Sequence, residues 1–175
     1  MRSGDVLVVV DVLNDFEHED GDRLLESLRS RQAGLVDAIE GARAAGVPVV
    51  YVNDHLGDWS ADRQTLLDRA RDGKGGSLLA PAMPRPSEPL LIKPRYSALD
   101  HTALEVLLRE LGAERILLAG GSTEACVVQS GIDARELGFK VTILTSACLT
   151  IDEEREAIAL RYARDVAGIF VEAAA

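Results

Sequence analysis

The chain has 175 residues, 47% of them hydrophobic and 27% charged, a balance that argues against a disordered or membrane-embedded protein and suits one globular domain spanning 1–175. A formal net charge of −10 disfavours phosphate backbones and anionic membrane surfaces, so no nucleic acid and no membrane are expected as partners, while a small-molecule substrate stays open. The only cysteines, Cys126 and Cys148, make no disulfide framework, nothing has the spacing of a zinc cluster, and the apolar run before Asp11 is too short for a signal or a membrane span, so a cytoplasmic location is expected.

Asp5 to Val10 is a β-branched run, the pattern of a strand buried on both faces of a parallel sheet. It ends at Asp11, and Asp11-Val12-Leu13-Asn14-Asp15-Phe16 would leave the sheet at its carboxyl edge, where open α/β sheets place ligands. From Leu24 to Ala45 the residues Leu28, Leu35, Ile39 and Ala42 share one helical face, and Gly46 is placed to end the helix. Val47 to Val52 reads as a second strand with Pro48 at its start. The polar stretch Asn53 to Trp59 follows. His55 beside Asp54 has donor types that suit a divalent ion, but a polar loop lining a pocket mouth is the reading preferred. Ser60 to Arg71 predicts a short helix. Asp72 to Pro89, with Gly73, Gly75, Gly76, Pro81, Pro84 and Pro86, reads as a long irregular loop of the kind used for lids, binding loops or interfaces.

Leu90 to Lys93 is a third strand. Thr102 with Glu105 has the pattern of a capping box before the stripe Leu104, Leu107, Leu108 and Leu111, which Gly112 closes. Arg115 to Ala119 is the fourth strand and Glu124 to Leu137 the next helix. Lys140 to Thr145 is the fifth strand, Thr150 with Glu153 a second capping box opening a helix to about Arg164, and Val166 to Val171 a last strand. Strand and helix alternate throughout, which predicts a doubly wound α/β fold, its sheet mostly parallel with helices on both faces.

Between the fourth strand and its helix lies Gly120-Gly121-Ser122-Thr123-Glu124-Ala125-Cys126-Val127. Consecutive glycines admit backbone conformations and close approaches that a Cβ forbids. A cysteine in the first turn of a helix sits among unpaired N–H groups at the positive end of the dipole, which favours the thiolate, and those N–H groups can hold an oxyanion. The bland alternative is a small buried hydrophobe, which is how Cys148 reads.

This turn resembles the nucleophile loop of the isochorismatase-like cysteine hydrolases, the group that contains nicotinamidases and other small amidohydrolases. Gly120 to Val127 matches the family pattern except at Gly121, where a branched apolar residue is usual. The segment Asp11 to Phe16 is similar to the family's Asp-x-Gln-x-Asp-Phe opening, with Leu13 in place of the glutamine, and Lys93-Pro94-Arg95-Tyr96-Ser97-Ala98-Leu99 is similar to its lysine followed by aromatic, serine, alanine and apolar residues. The resemblance implies Asp11 as acid and base, Lys93 as the cation beside it and Cys126 as the nucleophile. It also implies an oxyanion hole from the N–H groups of Ala125 and Cys126, shaped by a cis peptide between Gly121 and Ser122. Relatives that bind a metal show Asp-x-His with a further histidine; that spacing is missing at Asn53-Asp54-His55, so neither metal nor cofactor is expected. A pocket bordered by Leu13, Phe16, His55, Trp59 and Tyr96 would take a flat or apolar acyl group. A homo-oligomer, dimer or tetramer, is implied. Two other readings remain: vinyl-ether hydrolysis as in isochorismatases proper, which lack the cysteine, and a catalytically silent relative used for binding or assembly.

Overall fold

The β-branched run at the N-terminus forms β1 (Asp5–Val10), buried along its whole length. With β2 (Val49–Asp54), β3 (Leu90–Lys93), β4 (Arg115–Gly121), β5 (Lys140–Leu149) and β6 (Phe170–Glu172) it makes a six-stranded sheet, order β3-β2-β1-β4-β5-β6, every pair parallel. The computed structural model describes residues 1–172. Because successive side chains of a strand point to opposite faces, β1 feeds two cores. Leu7 and Val9 pack with Leu28, Leu35 and Ile39 of α1 (Gly21–Ala44), together with Leu66 of α2 (Arg63–Asp72) and Leu79 of α3 (Gly76–Leu79). Val6, Val8 and Val10 pack with Leu104 and Leu108 of α4 (Leu104–Glu110), Ala134 of α5 (Val128–Glu136) and Ala163 of α6 (Glu153–Asp165). The result is an α/β three-layer fold with helices on both faces.

The order of strands reverses at β1, whose neighbours are β2 and β4, and Val10 pairs with Val52 on one side and Gly120 on the other. Chains leaving β1 and β4 therefore part in opposite directions and open a crevice at the carboxyl edge. Gly120 makes this pairing possible. Its φ is +106°, and a Cβ there would overlap the Val10 carbonyl.

Several expected boundaries move. β2 starts at Val49 because Pro48 lies outside the ladder, its carbonyl accepting from the Leu7 N–H. β5 runs on past Thr145 to Leu149 across a register shift, so Cys148 is a buried strand residue with Sγ 3.8 Å from the Leu118 carbonyl oxygen. β6 shrinks to three residues, because Val166 and Ala167 turn back to donate to the Tyr162 carbonyl at the end of α6. Neither capping box forms. Asp152 caps α6 by accepting from the Arg155 N–H, and Thr102 Oγ1 accepts from Leu104 while Glu105 pairs with Arg109. The stretch Asp72–Pro89 is ordered onto the sheet: Leu79 and Ala82 are core residues, Tyr51 Oη donates to the Ala82 carbonyl at 2.8 Å, and Glu88 accepts two hydrogen bonds from Arg43.

Candidate active site

Lys93 ends β3 opposite Asp54 and is 1% exposed, which leaves its ammonium to find partners inside the protein. An ammonium has three protons and here three acceptors. Nζ donates to Asp11 Oδ2 at 2.8 Å and to the Arg95 carbonyl at 2.8 Å, and lies 3.6 Å from Cys126 Sγ. Asp11 follows β1 with φ +50°, a left-handed turn that swings its carboxylate across the crevice. Its Oδ1 accepts the Asp54 N–H at 2.6 Å, and its own N–H donates to the Val52 carbonyl at 3.0 Å. The three residues expected to act together, from the ends of β1, β3 and β4, are thus brought to one point.

Cys126 lies in a single π turn (Thr123–Val127) that precedes α5, and the peptide between Gly121 and Ser122 is cis. The Ser122 carbonyl accepts from the N–H groups of Ala125 (3.2 Å) and Val127 (3.1 Å), so the expected Ala125 donor is engaged in this state. The turn is tied to the β3 loop through Ser130, whose hydroxyl donates to the Cys126 carbonyl at 2.6 Å and accepts the Ala98 N–H at 2.8 Å.

The protonation states differ from those expected of a helix-start cysteine. Burial, and then the neighbouring Asp11 carboxylate, push the Cys126 thiol far above its ordinary value. Burial raises Asp11 as well, outweighing the Lys93 charge beside it. Burial works against the charge on Lys93, but Asp11 and then Cys126 more than offset it, and the ammonium is held above its usual range. These shifts favour a thiol at Cys126, rather than a free thiolate, beside the Lys93 ammonium.

These groups form the floor of a cavity of about 660 Å³. Of the five expected wall residues only Tyr96 lines it. Leu13 and Phe16 are each 1% exposed in the α1-side core. Phe16 has φ +61°, its N–H held by Asn14 Oδ1 at 2.6 Å, and packs its ring against Gly75. The ring of His55 lies against that of Trp59, centroids 4.4 Å apart and tilted by 34°, and Trp59 is 81% exposed; neither lines the cavity. The cavity is walled instead by Asn14, His18, Leu56, Arg69, Arg95 and Ile151. Sequence reading also passed over Asn53. Its side-chain amide pairs with both backbone groups of Leu13, accepting at 2.8 Å and donating at 3.0 Å, and so fixes the chain two residues beyond Asp11. An asparagine ending a run of buried apolar residues was the available signal.

The donor set for a metal does not assemble. Asp54 Oδ1 accepts the Leu56 N–H, His55 is turned to Trp59, and no group of three His, Cys, Asp or Glu converges among the described residues.

The isochorismatase-domain family model matches residues 5–175. The chain belongs to the isochorismatase family. It is 28% identical to the uncharacterized isochorismatase family protein YaaI of Bacillus subtilis over 94% of this chain and 91% of that protein. It is 30% identical to the maleamate amidohydrolase of Pseudomonas putida over 66% of this chain and 61% of that one. The N-carbamoylsarcosine amidase of Thermoplasma acidophilum superposes with a TM-score of 0.71 at 26% identity, covering 96% of this chain and 95% of the other. Two of these three, the maleamate amidohydrolase and the N-carbamoylsarcosine amidase, are named for amide hydrolysis, and the hydrolytic character of the family supports an enzyme here. No helix among the described residues is long and apolar enough to cross a membrane.

Proposed function

We propose that the protein is a cysteine hydrolase that cleaves the C–N bond of a small amide or ureide through a thioester at Cys126. The observation that carries this reading is the contact of Lys93 Nζ with Asp11 Oδ2 at 2.8 Å and with Cys126 Sγ at 3.6 Å on the floor of the cavity. Since the thiol rests protonated, Asp11 takes its proton as Sγ bonds to the carbonyl carbon, and Lys93 steadies the charge. The oxyanion is held by the Cys126 N–H, joined by Ala125 if Ser122 yields it. Collapse breaks the C–N bond, Asp11 returns the proton to the leaving nitrogen, and the amine departs. Water then gives a proton to Asp11 and its oxygen to the thioester carbon. The C–S bond breaks, the proton returns to sulfur, and the acid is released.

With Leu13, Phe16, His55 and Trp59 outside the cavity, an aromatic clamp on a flat acyl group loses its support. Among the charged residues of the cavity, which also include Glu17, Asp20 and Asp54, Arg95 suggests another preference. Lys93 pairs with Asp11 and Arg69 with Asp15, whereas Arg95 lines the same cavity with no carboxylate partner among the described residues. A guanidinium so placed suits a substrate carboxylate, which puts monoamides and ureides of carboxylic acids ahead of nicotinamide. The reading includes a homo-oligomer, a cytoplasmic location and turnover without metal. Its test is ammonia release from a panel of such compounds by wild type and Cys126→Ser, before and after exhaustive chelation. Turnover by wild type alone, insensitive to chelation, is expected. Full activity of Cys126→Ser would overturn the nucleophile, and activity lost on chelation and restored by zinc or manganese would overturn the metal-free step.

A further inference from the structure

Beside the nucleophile turn lies a chain of hydrogen bonds through Thr123, Glu156 and Arg31, none of which lines the cavity. Thr123, three residues before Cys126, is fully buried, and its hydroxyl has one proton facing two acceptors: the Leu149 carbonyl at 2.9 Å and Glu156 Oε1 at 2.8 Å. Glu156 is itself buried on α6 and is gripped through both oxygens by Arg31 of α1, at 2.6 and 2.7 Å. The same guanidinium donates to the Cys148 carbonyl at 3.1 Å. One arginine therefore joins α1, the end of β5 and α6, and through Glu156 reaches the nucleophile turn. The next residue, Glu124, ties the turn to the chain just beyond β5 by accepting from the Ile151 N–H and the Thr150 hydroxyl, each at 3.0 Å.

We propose that Glu156, oriented by Arg31, is a positioning residue that sets the Cys126 turn through the Thr123 hydroxyl. The proposal rests on Cys126 being the nucleophile. Its physical ground is the position of the charge. A buried ion pair adds little stability over a well-packed apolar pair, because desolvation offsets the attraction. What this one does add is direction: a bidentate guanidinium fixes the carboxylate plane, and the carboxylate fixes a hydroxyl on the turn that aims Sγ. A loop carrying the reacting atom is sensitive to shifts of an ångström or less, which cost up to about a hundred-fold in rate. The arrangement explains why a hydroxyl that already reaches a backbone carbonyl is also given a buried carboxylate.

The experiment compares Thr123→Val, Thr123→Ser, Glu156→Gln and the double variant Thr123→Val/Glu156→Gln with wild type, after circular dichroism has established that each is folded. The readouts are kcat and KM on a substrate found above, and the iodoacetamide alkylation rate of Cys126 against Cys148 by peptide mapping, which needs no substrate. Thr123→Val and Glu156→Gln are each expected to lower kcat roughly ten-fold or more with KM little changed, and to alter the Cys126 alkylation rate several-fold. Thr123→Ser should stay near wild type, and the double variant should be no worse than the poorer single one, since both cut the same chain. A merely structural pair would lower the melting temperature and leave kcat and alkylation of the folded protein unchanged; that result overturns the proposal, as do additive losses. If Cys126→Ser abolishes turnover while these variants keep theirs, the proposal fails and the nucleophile stands. If Cys126→Ser remains active, the nucleophile fails, and the alkylation rates still decide whether Glu156 sets the turn. Should Glu156→Gln not fold, Arg31→Lys takes its place, since an ammonium cannot hold both carboxylate oxygens in one plane.

Discussion

Asp11 shows how one side chain can be tuned by opposing effects. Its carboxylate loses water by burial and gains an ammonium 2.8 Å away, and the balance leaves it above the usual aspartate range. The role proposed for it needs the anion, so kcat/KM should fall on the acid side through a midpoint higher than an ordinary aspartate's, about 3.9. A rate profile whose acid limb lies at or below that value would remove Asp11 as the base. Because the thiol rests protonated and passes its proton to Asp11, no rise in rate is expected near the ordinary thiol range. A rate that climbs with pH there would indicate a free thiolate mechanism instead. Leu13 illustrates a different point. The residue that stands in place of a glutamine turns its side chain into the core, and its backbone groups are held by Asn53, so the change leaves the cavity wall untouched.

Among the elements, β4 combines a positive φ with a backbone contact that leaves no room for a side chain. Gly120 has φ +106° and no room for a Cβ beside the Val10 carbonyl, while Gly138, at φ +91°, has nothing within 4 Å. Gly138→Ala meets only backbone strain and should cost about 1–2 kcal/mol. Gly120→Ala adds an overlap with the central strand that neither β1 nor β4 can relieve without breaking their ladder, and should cost about 3 kcal/mol or more. Urea unfolding of the two variants checks this, and equal losses would show that β4 can shift away from β1. Gly121 is less severe. A Cβ there meets Leu149 Cβ at 3.1 Å, so the branched residue usual at this position would require Leu149 to move.

For the whole molecule, acid stability should be governed by carboxylates held below their ordinary range. Asp5 is the most buried of them, gripped by Arg115 at 2.7 and 2.8 Å and by the Arg2 N–H at 2.7 Å. The Arg115 hydrogen bonds are the main cause of its lowered pKa, working against burial. A group whose folded pKa lies below its unfolded one contributes stability that is complete above the unfolded value, about 3.9, and is lost as pH falls through the folded one. Asp5→Asn should therefore cost about 2 kcal/mol at neutral pH, discounted because Arg115 is partly exposed, and the gap to wild type should narrow below pH 4. A gap that does not change with pH would mean that the charge of Asp5 is not what matters. A homo-oligomer is also expected. Asp72–Pro89, which Tyr51 and Arg43 hold to its own sheet and which does not line the cavity of its own chain, stays a candidate contact between copies. Light scattering should report a dimer or larger, and a strict monomer at high concentration would remove assembly from the proposed function.

The alternation of apolar runs and helical stripes was enough to read the parallel sheet, because strands buried on both faces and helices buried on one leave different periods in the sequence. Asp11, Lys93 and Cys126 could be named together from sequence because each lies at or beyond the carboxyl end of a strand, Cys126 in the turn after β4, and the local residue patterns resemble a known family. Hydrophobic character alone misplaced the pocket wall. Leu13, Phe16 and Trp59 are apolar residues near the right edge, but whether such a residue faces a cavity, a core or solvent depends on left-handed turns such as that at Phe16, which period and propensity do not encode. The thiol's resting state was likewise beyond local reading, since it is set by burial and by a carboxylate 115 positions away in sequence. The Arg31–Glu156–Thr123 chain joins α1, α6 and the nucleophile turn. Contacts between residues so far apart in sequence exist only once the sheet has brought the helices together.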